Sequence, residues 1–267
     1  MGADIKSLRT RIKSVNSTLH LTRAMGLVAS SKIRRATEGM LHGRDYAAAL
    51  EQVLSLLTAA PECARSPYMR ETDGDRIRLI VIAGDRGLAG GYNANIFRTL
   101  REYPDAEIIP IGKKACDRYR GELRLCERFD SLTAYRLAAD LCRDFAAGAY
   151  DRLGILYTRY VSMMSQQPEI LWVLPLTRAE TANRSTVLFE PDETTILDTA
   201  VPEYVTGRLV AAVRESFASE VVARRMAMDS AGKNATEMIA ELQLQYNRAR
   251  QGSITQEITE IVAGANA

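Results

Sequence analysis

The stretch "IKSLRTRIKSVNSTL", Ile5 to Leu19, decides the fold. Its apolar residues Ile5, Leu8, Ile12, Val15 and Leu19 step by 3, 4, 3 and 4, the spacing that holds one side of a helix against a second helix. Met25, Val28, Ile33, Ala36 and Met40 carry an apolar stripe onward, weakened at Gly26, Gly39 and Gly43. At the other end of the chain Phe217, Val221, Arg224, Met228, Ala231, Ala235, Met238 and Leu242 repeat by 4 and 3 in turn. Ile254, Ile258 and Ile261 resume that stripe after a phase shift near Gly252, as a stutter in a supercoil would produce. The first seam is bulky and the second is rich in small residues (Ala231, Ala235, Ala249), a combination suited to close helix contact.

Proline marks where such helices can run. All eight prolines, from Pro61 to Pro202, lie in the middle, so residues 1–60 and 203–267 contain none. Fifty or more residues of helix reach roughly 75 Å, and helices of that length need a partner, here the other end of the same chain. The alternative is that both ends pack on a globular core as ordinary amphipathic helices.

Between the ends, "RIRLIVIA" (76–83), "EIIPIG" (107–112), "RLGILYTRY" (152–160) and "EILWVLPL" (169–176) are short apolar runs rich in β-formers, with "STVLFEP" (185–191) a further candidate. Segments near 91–103 and 132–147 have helical spacing. Strand, glycine turn, helix and strand in succession predict a small, partly parallel α/β domain inserted between two halves of a coiled coil. The turn after the first strand, "VIAGDRGLAGGYN" (81–93), has the outline of a phosphate cradle. It lacks both the GxGxxG order and the Lys-Ser/Thr of a P-loop, and reads as a turn.

Composition and charge narrow the function classes. The 267 residues are 46% hydrophobic and 25% charged, an ordinary globular balance. There is no apolar run of spanning length and no secretory h-region at the N-terminus, so the expectation is an intracellular protein without direct membrane insertion. Lys6 stands where a myristoylation signal needs Ser or Thr. Cys63, Cys116, Cys126 and Cys142 form no CxxC pair and have no histidine cluster near them, which predicts free buried thiols and no metal. The two histidines, His20 and His42, fall on the N-terminal helix with no nucleophile arranged beside them, so no catalytic residue and no cofactor is assigned. Residues 1–44 hold nine basic side chains against Asp4 and Glu38, a net of +7 in a chain whose total is +2. A basic helix of this kind asks for an acidic partner. With no aromatic residue before Tyr46 to stack on bases and no DNA-binding motif, acidic protein loops fit better than nucleic acid. The apolar last turns, "EITEIVAGANA", predict a C-terminal tip enclosed by a partner.

Three stretches carry a family resemblance: "SVNSTLHLTRAMGLVASSKIRRA" (14–36), "GDRGLAGGYN" (84–93) and "ELQLQYNRARQGSITQEITEIVAGA" (241–265). The last, with Ile254, Thr255, Glu257, Glu260, Gly264 and Ala265 in register, is the most specific. Together they resemble the gamma subunit family of the rotary F-type ATP synthase, essentially end to end. The chain departs from the family's usual Ser, Cys and Leu at Gly84, Ala89 and Tyr92, and from a charged residue at Gly26. The resemblance implies an α/β fold class in which a long antiparallel coiled coil of the terminal helices carries an inserted small α/β, Rossmann-like, domain, in segments 1–60, 61–202 and 203–267. It implies a rotor turning inside a ring of alpha and beta subunits, with the epsilon subunit and the membrane c-ring at its foot, near the "FEPD" region (Phe189 to Asp192). Met25, Arg224, Arg250, Gln251 and Thr255 match positions that touch beta. Cysteines near Leu19 and Met238 are expected to face each other across the antiparallel seam. The lack of a cysteine-bearing regulatory insert of the chloroplast kind points to a bacterial protein at the cytoplasmic face of the cell membrane. Two other classes stand beside this reading: a dinucleotide-dependent enzyme using the glycine turn, and a coiled-coil scaffold or nucleic-acid-binding protein using the basic helix.

Overall fold

The computed structural model describes residues 2–70, 74–179 and 189–265. The chain forms two compact units, one of residues 32–223 and one of residues 1–31 with 224–267. Helix α1 (Gly2–Thr58) and helix α5 (Glu193–Ala265) run through both. Between them lie β1 (Ile77–Ile82), α2 (Tyr92–Thr99), β2 (Glu107–Ile111), α3 (Lys113–Tyr119), α4 (Ser131–Ala146), β3 (Arg152–Ser162) and β4 (Ser165–Leu174).

The four strands form a sheet in the order β2-β1-β3-β4, with β2, β1 and β3 parallel and β4 antiparallel to β3. All four predicted strand runs are present, and β4 begins earlier than the sequence suggests because it forms a hairpin with β3. Of the further candidate at 185–191, residues 185–188 lie outside the described residues, while Phe189 packs on the core. From Leu79 to Ile82 the β1 run is apolar because both faces are covered. Leu79 and Val81 meet Ile96 of α2 and Ala115 of α3 on one face. Ile80 and Ile82 share the other with Ala138, Leu141 and Phe145 of α4 and with Leu197 to Val213 of α5.

Helix α5 starts ten residues before the predicted boundary and passes through Pro202. Proline inside a helix costs about 3 kcal/mol in isolation. Here the surrounding turns bury Leu197, Val201, Tyr204, Val205 and Leu209, and that apolar burial outweighs the missing hydrogen bond. The start itself is fixed by Asp192, whose carboxylate accepts from Thr194 Oγ1 (2.6 Å), Thr195 N (2.9 Å) and Thr195 Oγ1 (2.8 Å). Those bonds, the one from the Thr194 hydroxyl foremost, hold the Asp192 carboxyl down at about 2.

Gly112, between β2 and α3, has φ +85°, and a Cβ there would stand 1.9 Å from the Ala83 carbonyl oxygen. Gly39 lies within α1 with nothing within 4 Å of the equivalent point. Urea unfolding is therefore expected to show Gly112→Ala destabilised by about 2 kcal/mol or more. Gly39→Ala should be stabilised by about 0.5–1 kcal/mol. Equal effects would contradict this account.

The four cysteines of the core are free thiols, all buried. Burial pushes the Cys142 thiol from 9.0 up to about 12 and the Tyr157 hydroxyl from 10.0 up to about 12. The unfolded chain ionises these groups first, so unfolding releases protons and stability falls as pH rises from about 9 towards 12. The urea midpoint should accordingly be lower at pH 10 than at pH 7.5.

Candidate partner interface

In the unit of residues 1–31 and 224–267 the two helices pack antiparallel. A Cβ on Gly26 would stand 3.4 Å from Arg225 Nη1 and 3.6 Å from Met228 Cβ, and one on Gly232 would stand 3.8 Å from Thr22 Oγ1 and 3.9 Å from Leu19 Cδ1. Along α1 the covered positions include Ile5, Leu8, Ile12, Val15, Leu19, Thr22, Gly26 and Ala29, which alternate by 3 and 4, with Met25 half-buried beside them. Along α5 they include Met228, Gly232, Ala235, Ile239, Leu242, Tyr246, Ala249 and Ser253, again alternating by 4 and 3, with Ala231 half-buried as predicted.

This corrects the predicted seams in three places. After Leu19 the seam runs through Thr22, Gly26 and Ala29, leaving Leu21, Leu27 and Val28 60%, 69% and 55% exposed. Ile239 takes the seam position assigned to Met238, which is exposed. The phase shift at Gly252 is absent, because the register continues to Ser253. The cause is common to all three: once Leu19 and Leu242 fix the register, heptad geometry chooses the next seam residues whatever their hydrophobicity. Small residues at Gly26 and Gly232 leave an open cleft lined also by Thr22, Met228 and Thr236.

The five residues assigned to partner contact fall into two groups. Met25 and Arg224 are half-buried, and the neighbouring Gly26 and Arg225 bring their levels of the helix pair together. Arg250, Gln251 and Thr255 are exposed on the last turns of α5, where Thr255 Oγ1 donates to the Gln251 carbonyl at 2.9 Å. At about 1.5 Å per residue the groups stand roughly 39 Å apart along α5, at two separate levels. Arg250 and Gln251 point outward because Ala249 and Ser253 hold the seam on either side. Ile254, Ile258, Ile261 and Val262 form an exposed apolar face past the level of Gly2, where α1 supplies no neighbour.

In the other unit the glycine turn shows what occupies its amides. Asp85 N and Arg86 N donate to the Glu220 carboxylate of α5 at 3.2 and 3.1 Å, and Gly84 N donates to Asn93 Oδ1 at 2.8 Å. The Asp85 carboxylate accepts from Lys113 N (3.3 Å), Cys126 N (3.0 Å) and Glu127 N (2.9 Å). Two amides of the turn are thus taken by a carboxylate of α5, and the turn's own Asp85 ties it to the backbone at Lys113, Cys126 and Glu127.

Residues 4–267 match the family model described as ATP synthase. The ATP synthase gamma chain of Ruminococcus albus is 39% identical over 277 residues, covering 97% of this chain and 96% of its own. The chain belongs to the ATP synthase gamma-chain family. The gamma chain of Moorella thermoacetica is 37% identical over 279 residues, covering 99% of each. A chain of the Euglena gracilis mitochondrial ATP synthase, solved as OSCP/F1/c-ring in rotational state 3, superposes with a TM-score of 0.69 at 20% identity and covers 100% of this chain and 95% of that one, the same fold.

For a gamma-chain family member, sequence reasoning missed the buried polar stretch Glu215, Ser216, Ser219 and Glu220. Its signal was available as two Glu and two Ser at i, i+1, i+4 and i+5 in an otherwise apolar run of α5. Two departures from the family pattern touch this stretch: Tyr92 donates to the Ser216 carbonyl at 2.9 Å, and a Cβ on Gly84 would stand 2.9 Å from Glu220 Cδ.

The corrected register has a direct check. Gly26→Cys with Met228→Cys should close a disulfide within one chain under mild oxidation, since a Cβ on Gly26 would stand 3.6 Å from Met228 Cβ, whereas Leu19→Cys with Met238→Cys should not. Non-reducing gel mobility decides, and the opposite pattern would restore the seam through Met238.

Proposed function

We propose that the chain is the central rotor shaft of an F-type ATP synthase, coupling ion flow through a membrane ring to ATP synthesis or hydrolysis in a surrounding ring of alpha and beta subunits. The end-to-end similarity to curated ATP synthase gamma chains, at up to 39% identity, carries this reading. The helix pair of residues 1–31 and 224–267 turns inside the alpha/beta ring. The α/β layer sits at the foot with the c-ring and the epsilon subunit, near Phe189 to Asp192. Among the described residues no helix is long and apolar enough to cross a membrane, which suits a peripheral subunit at the cytoplasmic face of a bacterial membrane.

The chemistry belongs to the partners, and the shaft acts by asymmetry. Each orientation presents a different side of the helix pair to each beta subunit, and differential contact is what shifts a beta subunit between conformations. Met25 and Arg224 supply one level of contact, and Arg250, Gln251 and Thr255 the other. The exposed Ile254, Ile258 and Ile261 face sits in an apolar sleeve at the tip. The basic N-terminal face meets acidic loops of beta. Co-purification of the chain with two larger nucleotide-binding subunits tests the assignment; a chain that assembles with nothing and binds ATP or NAD at micromolar concentration would overturn it.

Arg250 offers a planar fork for a carboxylate and Gln251 an amide donor. Each contact of about 1.5–3 kcal/mol, formed in some orientations and not others, amounts to about one to two decades in rate. The Arg250→Ala, Gln251→Ala double variant is expected to keep its helicity as an isolated chain while the reconstituted complex loses ATPase turnover or assembly. Normal turnover together with normal assembly would remove both residues from the interface.

A further inference from the structure

The polar stretch Glu215–Glu220 of α5 has no part in the contacts just described, yet all of its polar side chains are buried, Glu220 to 1% exposure. Each is used. Strand β3 pairs with β1 only as far as Leu156, so beyond it the β3 edge needs other partners. Thr158 N donates to Ser216 Oγ at 3.0 Å, Ser219 Oγ donates to the Thr158 carbonyl at 3.2 Å, and Tyr160 N donates to Glu215 Oε1 at 2.8 Å. Arg44 of α1 completes the group, with Nη2 2.6 Å from Glu215 Oε1, Nε 3.2 Å from Glu215 Oε2, and Nη2 donating to the Tyr160 carbonyl at 2.8 Å. Glu220 meanwhile holds the amides of the glycine turn, Asp85 of that turn holds the amides of Lys113, Cys126 and Glu127, and Glu127 pairs with Lys32 of α1. Side chains of α5 and α1 thus stand in for the missing strand and close a ring of hydrogen bonds through both helices and the sheet.

We infer that the Glu215–Glu220 stretch is the joint through which twist passes between the sheet and helices α1 and α5, an inference that rests on the rotor reading. The apolar contact around Leu197 to Val213 resists separation but is non-directional and offers little resistance to turning about the helix axis. Hydrogen bonds are directional and weaken steeply when bent. At about 100° per residue, positions 215, 216, 219 and 220 span an arc of roughly 140° around α5, so rotation in either sense bends some of these bonds. A shaft driven from its foot needs such an arc, and an ordinary packed helix does not.

The test compares reconstituted complexes in vesicles, reading ATP hydrolysis and ions pumped per ATP, with protons and sodium both assayed. Ser216→Ala with Glu220→Gln removes the acceptor of the Thr158 amide and one of the two carboxylate oxygens that accept from Asp85 and Arg86, and Leu209→Ala loosens the apolar contact of the same helix as a control. The double variant should keep ATPase within about twofold of the parent while ions pumped per ATP fall at least threefold; hydrogen exchange should quicken at Asp85, Arg86 and Thr158. Leu209→Ala should leave the ratio unchanged. If the double variant does not assemble, Ser216→Ala alone carries the same comparison. An unchanged ratio in the joint variant, or an equal fall in the Leu209 control, would overturn the joint. A parent complex that neither hydrolyses ATP nor pumps would overturn the rotor reading instead.

Discussion

The structure of the α/β layer depends on two carboxylates that α5 buries. A carboxylate removed from water is costly unless every lone pair finds a donor. Glu215 and Glu220 find theirs in a guanidinium and in backbone amides that would otherwise be orphaned at the end of a strand and in a glycine turn. Each side satisfies the other: the helix would be destabilised without the turn, and the turn without the helix. The Arg44 guanidinium, its pKa raised chiefly by its hydrogen bond to Glu215, joins α1 to the same network. This mutual dependence ties the sheet to both long helices.

A second constraint acts along the helices themselves. In the unit of residues 1–31 and 224–267, geometry selects the seam and hydrophobicity follows where it can. Thr22, Gly26 and Gly232 occupy seam positions that a stability optimum would fill with Leu or Ile, while Leu21, Leu27 and Val28 face outward. A lone two-helix protein gains nothing from this arrangement. It suits a helix pair whose outer faces are to be covered by other chains, where an apolar residue on the outside contributes to partner contact.

The glycine turn shows how one local sequence serves two unrelated ends. A strand followed by closely spaced glycines and a helix brings backbone amides together, and such a cluster attracts negative charge. In a nucleotide-binding domain the charge is a phosphate; in this chain it is the Glu220 carboxylate. A Cβ at Gly84 would stand 2.9 Å from Glu220 Cδ, so a side chain there would displace the Glu220 carboxylate from its present position.

Sequence alone determined whatever depends on local periodicity. The Ile5 to Leu19 spacing, the absence of proline from both ends and the four apolar runs of the middle fixed two long helices, four strands and their order along the chain, since the 3-4 and alternating patterns are properties of neighbouring residues. Tertiary structure decided what depends on partners distant in the chain. Pro202 stays inside α5 because the burial around it outweighs a local rule, and the seam passes through Thr22 and Ile239 in preference to Val28 and Met238 because the opposite helix sets the register. Glu220 meets Asp85 and Arg86 across more than 130 residues of chain, a contact no window of sequence contains. Hydrogen-bond satisfaction of a buried carboxylate is a long-range condition, and its partners exist only once the chain has folded.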